Sequence, residues 1–86
     1  MKLVEVTTRK KAVVELESHQ DSIVLWIEEG KVFLLLHQSK KDLALAIAKK
    51  FKTLAVNSMP EKWWVIVRRQ DKQEVTTQLK RFKFID

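Results

Sequence analysis

Residues 59–72, MPEKWWVIVRRQDK, decide how this chain is read. Extended as a β-strand, the segment points successive side chains to opposite faces. Trp63, Val65, Val67 and Arg69 then share one face, and Trp64, Ile66 and Arg68 share the other. Each face holds a tryptophan, β-branched residues and an arginine. A sheet built from such a strand needs cover on both sides.

Two further segments make the same demand. Residues 22–28, SIVLWIE, set Ile23, Leu25 and Ile27 against Val24 and Trp26. Residues 31–37, KVFLLLH, set Val32, Leu34 and Leu36 against Phe33 and Leu35. A strand with one wet face alternates apolar and polar residues, and these do not. Glu29-Gly30 joins the two segments and holds the only glycine, the residue that accepts a positive φ at least cost in a tight hairpin.

The flanking segments carry weaker patterns. KLVEVTT at 2–8 reads as a strand, and Arg9-Lys10-Lys11 as a basic hairpin tip. AVVELES at 12–18 alternates, with Ala12, Val14 and Leu16 on one face and Val13, Glu15 and Glu17 on the other. From Ser39 the period changes. Leu43, Ala44, Ile47, Ala48, Phe51, Leu54 and Ala55 follow the spacing of an amphipathic helix, with Ser39 as its cap and NSMPEK at 57–62 as its stop. After the 63–69 strand, QDKQ at 70–73 reads as a turn and EVTTQLKRF at 74–82 as a sixth strand.

The expected fold class is therefore α+β: a curved antiparallel sheet of five or six strands with one packed helix, in the order β-β-β-β-α-β-β. Residues 1–86 are expected to form a single domain without internal repeat. Four antiparallel strands followed by a helix is an order that resembles the single-strand-binding folds of the Whirly type, in element order alone. One helix covers one face of a sheet. The second apolar face is expected to meet a second copy of the chain, with Trp26, Phe33 and Leu35 at a homodimer interface. A closed barrel or an open aromatic platform are the alternatives.

Charge narrows the function. Residues 1–38 hold five Lys/Arg and six acids, whereas residues 39–86 hold twelve Lys/Arg and five acids. The chain carries a net charge of +6, concentrated in its second half, which points to a polyanionic partner. Basic residues interleave with aromatics in Trp63-Trp64 with Arg68-Arg69, and again in Lys80-Arg81-Phe82-Lys83-Phe84. Cations along phosphates and flat rings beneath bases are what a single-stranded nucleic acid requires. The expected function is nucleic-acid binding, single-stranded DNA or RNA being favoured. Arg9, Lys10, Lys11, Arg68, Arg69, Lys80, Arg81 and Lys83 would neutralise phosphates, and Trp64 or Phe84 would stack a base. The alternative is a homo-oligomeric assembly module, of phage or viral type, that docks on or inhibits a protein partner.

Catalytic signals are poor. No glycine-rich phosphate loop or nucleophile elbow is present, and neither His19 nor His37 has a second ligand at metal spacing. No enzyme, cofactor or metal is expected; the weakest reading is an enzyme using His37 with a carboxylate from a neighbouring strand. The chain has no cysteine, and neither a leader-like nor a membrane-spanning apolar run is legible. A cytoplasmic or nucleoid-associated protein is expected, or one made inside a host cell by a virus.

Overall fold

The computed structural model describes residues 1–51 and 53–85, Met59 by its backbone only. Among these residues the chain forms β1 (Lys2–Glu5), α1 (Arg9–Ser18), β2 (Ser22–Glu28), β3 (Lys31–His37), α2 (Lys41–Lys50), β4 (Thr53–Met59), β5 (Lys62–Arg68) and α3 (Lys72–Arg81). Short 3-10 turns at Gln38–Lys40 and Arg69–Asp71 lead into α2 and α3. The strands make one sheet in the order β1-β2-β3-β5-β4. β1 runs parallel to β2, and the other pairs are antiparallel.

The α+β class holds, with a mixed sheet and three helices in place of one. Three segments depart from the expected order. Residues 12–18 are helical because Ala12 and Leu16 stand one turn apart and bury together, while Val14 faces solvent at 56% exposure. The Thr8 hydroxyl caps this helix, accepting the Lys11 backbone N–H at 3.2 Å. Residues 74–81 of the expected sixth strand fall in α3, with Phe82 as its C-cap, despite the β-branched Val75, Thr76 and Thr77. Val75 and Leu79 give a buried i, i+4 pair, and Gln78 donates to Glu74 at 2.9 Å on the flank. Packing overrides a weak strand preference here. The central helix ends at Lys50, and Leu54 and Ala55 enter β4.

The parallel pairing of β1 with β2 explains how the second face is covered. Parallel strands need a crossover, usually a helix, and α1 is that crossover. The sheet thus lies between two layers. On one side α1 packs over Val24, Trp26, Phe33, Leu35 and Trp64. On the other, α2 and α3 bury Leu43, Ala44, Ile47, Val75 and Leu79 against Ile23, Leu25, Leu34, Val65 and Val67. The split of strand residues into two apolar sets follows the alternation read from the sequence. The expected homodimer interface does not: Trp26, Phe33 and Leu35 are buried beneath α1 of the same chain.

An internal repeat, not expected from the sequence, is plain in the element boundaries. β2, β3, the first 3-10 turn and α2 begin at Ser22, Lys31, Gln38 and Lys41. β4, β5, the second turn and α3 begin at Thr53, Lys62, Arg69 and Lys72, an offset of 31 residues each time. The two hairpins meet along β3 and β5, where Leu34 pairs with Val65, its own counterpart at that offset. Lys31 opposite Arg68 mirrors His37 opposite Lys62. The four-stranded part of the sheet is therefore pseudo-twofold symmetric about the Leu34–Val65 pair. β1 and α1 stand outside the repeat and cover one half of it.

The two hairpin turns reach the same end differently. Glu29 and Gly30 both take positive φ, 53° and 75°, as the expected tight hairpin requires. In the second, proline fixes a negative φ at Pro60, and Glu61 supplies the positive one, 63°.

Helical and extended readings of residues 12–18 separate by substitution. Leu16→Ala is expected to lower unfolding free energy by about 2–5 kcal/mol, and Val14→Ala to change it by no more than about 0.5 kcal/mol, as measured by urea denaturation. Comparable losses at both positions would restore the strand.

Candidate nucleic-acid-binding groove

The basic residues singled out in the sequence lie in separate places. Arg9, Lys10 and Lys11 form the first turn of α1 rather than a hairpin tip. Cations are poorly placed at a helix N-terminus, and two of the three are engaged. Arg9 pairs with Glu28 at 2.8 Å and covers the Trp64 and Phe33 rings at 4.7 and 5.9 Å. Lys11 Nζ donates to the Thr7 hydroxyl at 3.2 Å.

Trp64 is only 7% exposed, edge-on to Trp26 at 5.5 Å and to Phe33 at 6.2 Å. Its ring is a packing group beneath α1 and Arg9, not an open surface on which a base can stack. Arg68 is bonded to Asp71 at 3.1 Å. Arg69 sits in the 3-10 turn before α3, at the opposite end of that helix from Lys80 and Arg81. His37 Nδ1 accepts the Ser39 backbone N–H at 3.2 Å, capping the other 3-10 turn.

Lys80, Arg81, Lys83 and Phe84 remain together at the C-terminal end of α3, and the chain's path there is fixed by its backbone. Phe84 N–H donates to Leu79 C=O at 2.9 Å and Lys83 N–H to Lys80 C=O at 3.0 Å. Lys83 takes a positive φ of 59°. This is the Schellman pattern of helix termination, with lysine where glycine is usual. It turns the chain so that Ile85 folds back into the core, while Phe82 and Phe84 stay outside at 47% and 37% exposure.

α2 ends beside them. Lys50 Nζ lies 3.1 Å from the centroid of the Phe82 ring, so the two helix ends touch. Between them runs an apolar groove of about 380 Å³, floored by Ile47, Phe51 and Leu79 and flanked by Lys49, Lys50, Phe82 and Phe84. Among the described residues, no acidic residue lines it. Among the described residues, Lys49, Lys50, Lys80, Arg81 and Lys83 make no ion pair, unlike Arg9, Lys40, Arg68 and Lys72.

The α2 half of this groove was missed in the sequence, although a signal is there. Lys49-Lys50-Phe51-Lys52 and Lys80-Arg81-Phe82-Lys83 stand 31 residues apart, the offset of the structural repeat. Of the eight residues, all but Lys52 are described. A basic–basic–aromatic–basic run occurs at the end of each repeat, and the fold brings the two runs together.

Lys83→Gly separates architecture from electrostatics at this site. Glycine at the left-handed position is expected to hold or raise stability, by up to about 1 kcal/mol, while removing one cation. A fall in the melting temperature by calorimetry would show that the lysine side chain itself holds the turn.

No protein-family model matches this chain, and no curated protein and no solved structure is found to be similar to it.

Proposed function

We propose that the protein binds single-stranded nucleic acid along the groove between the ends of α2 and α3. The observation that carries this reading is the meeting of the two basic–aromatic runs, Lys50 against Phe82, at one groove with no acidic residue among its described lining residues. Lys49, Lys50, Lys80, Arg81 and Lys83 supply cations that are not neutralised by carboxylates among the described residues. Phosphates replace their counterions and release those ions to bulk solvent, a gain that falls as salt rises. Phe82, with Lys50 over one ring face, and Phe84 are both partly exposed beside these cations, and stacking on aromatic faces tolerates any base sequence.

A duplex is a poorer fit. Its bases are already stacked on one another, which leaves the exposed phenylalanines without a partner. Phosphate contact alone positions a ligand without reading it, so binding of low sequence specificity is expected. The reading moves the interface from the β5 surface to the helix ends. Arg68 is engaged with Asp71, and Trp64 is covered.

The test is a titration of end-labelled oligonucleotides followed by anisotropy at several salt concentrations. Wild-type protein is expected to bind single strands more tightly than duplex, with affinity falling linearly on a log–log salt plot. Lys49→Ala and Lys80→Ala together are expected to reduce that slope by about one unit per lost phosphate contact. Phe82→Ala is expected to weaken single-strand binding by about 1–3 kcal/mol if one base stacks there. Arg9→Ala, Lys10→Ala and Arg69→Ala serve as controls and should bind like wild type. No tryptophan lines the groove, so binding should leave tryptophan emission nearly unchanged. Salt-insensitive binding, or an unchanged slope in the double lysine variant, would reject the groove.

A further inference from the structure

The two hairpins of the repeat leave their outer edges in different states. β2 is closed on its outer side by β1, through parallel pairing from Lys2–Ser22 to Glu5–Leu25. β4, its counterpart on the other side, ends the sheet. An unpaired edge presents backbone N–H and C=O groups that template pairing with another strand. Edges are ordinarily blunted by lysine, proline or a covering element.

Of such devices, which include β-bulges, β4 shows only the irregularity at its start among the described residues. Its seven residues, TLAVNSM, include no charge and no proline. Every other strand of the sheet carries at least one charged residue: Lys2 and Glu5 in β1, Glu28 in β2, Lys31 in β3, Lys62 and Arg68 in β5. Of the two strands that end the sheet, β1 carries Lys2 and Glu5, and β4 carries no charge. A register shift between Thr53 and Ala55 bends its start, and Leu54 stands there 51% exposed. On the α1 side of the sheet, Ala55 and Ile66 beside it are only half-buried and Asn57 is exposed.

Charge selects the occupant. With a net +6 per chain, two copies repel each other wherever basic surfaces approach. β4 itself adds no charge to that repulsion. It also offers no charge by which to recognise an acidic or basic peptide. An isologous contact requires a surface complementary to itself. Antiparallel pairing of β4 with its own copy about Val56 meets that requirement: Leu54 falls opposite Ser58, and Ala55 opposite Asn57.

We propose that the outer edge of β4 pairs with the same edge of a second copy of this chain, antiparallel about Val56, making one sheet continuous across a homodimer. This interface is separate from the groove and from the residues buried beneath α1, and it stands whether or not nucleic acid binds.

Sedimentation equilibrium without nucleic acid tests it. The wild-type chain, 10.2 kDa, is expected to sediment at twice that mass at micromolar concentration. Leu54→Lys with Ser58→Lys places lysine opposite lysine twice across the dyad and is expected to raise the dimer Kd roughly tenfold or more. Leu54→Glu with Ser58→Glu acts in the same sense alone. Mixing the lysine and glutamate variants is expected to restore a heterodimer near wild-type affinity, a rescue that a misfolded variant cannot give. A wild-type monomer at the highest attainable concentration overturns the proposal. So does a dimer that ignores both variants and shows no preference for the mixed pair. A wild-type monomer that takes up an unrelated extended peptide at β4 overturns it equally.

Discussion

Burial on both faces of β2, β3 and β5 is the constraint on which the rest of the structure depends. A chain of this size has little interior, and apolar surface left in water costs about 25 cal/mol per Å². Covering one face leaves Trp26, Leu35 and Trp64 exposed, and covering the other leaves Leu34, Val65 and Leu36 exposed. The chain resolves this with helices on both sides. α2 and α3 come from the repeat, and α1 comes from the parallel crossover that precedes it. The aromatic cluster of Trp26, Phe33 and Trp64 is the heart of the α1 side. Trp26 stacks on Phe33 at 5.1 Å and meets Trp64 edge-on, and the Arg9 guanidinium closes the outer rim. Fitting helices to both faces also explains why so few apolar side chains are left to solvent.

Charge is arranged by the same economy of space. Arg9, Arg68 and Lys72 pair with Glu28, Asp71 and Glu5. Among the described residues, the cations at the ends of α2 and α3 pair with no carboxylate, and Lys50 stacks on Phe82. Cations near a helix C-terminus are favoured by the helix dipole, so the repeat tolerates its basic runs where they gather. These are the cations that the proposed nucleic-acid ligand would neutralise.

Much of the sheet was legible in the sequence. The alternation in β2, β3 and β5 assigns each side chain to the face it occupies, and Glu29-Gly30 marks its hairpin. α1 was obscured because AVVEL satisfies a two-residue period and a helical one equally until the partner surface is known. Only burial distinguishes Val14 from Leu16. α3 was obscured by three consecutive β-branched residues, whose intrinsic preference a buried Val75–Leu79 pair outweighs. β4 was hidden because Leu54 and Ala55 happen to continue the helical spacing of α2. At the candidate groove, Lys80 to Phe84 announced themselves by interleaving charge and ring. Lys49 and Phe51 did not, because each has an ordinary role on an amphipathic helix, one as solvated face and one as apolar face.

The repeat also orders the events of folding. Each hairpin closes over a two-residue turn, so β2–β3 and β4–β5 contacts are local and quick to form. The β3–β5 seam joins residues 25 to 37 positions apart, from His37–Lys62 to Lys31–Arg68, and the chain between them must turn back before that seam closes. Non-local pairings of this kind set the pace of folding in small domains. The docking of the two hairpins along Leu34 and Val65 is therefore the step expected to set the rate, and substitutions at those two positions are expected to slow folding more than equal losses of stability elsewhere in the sheet.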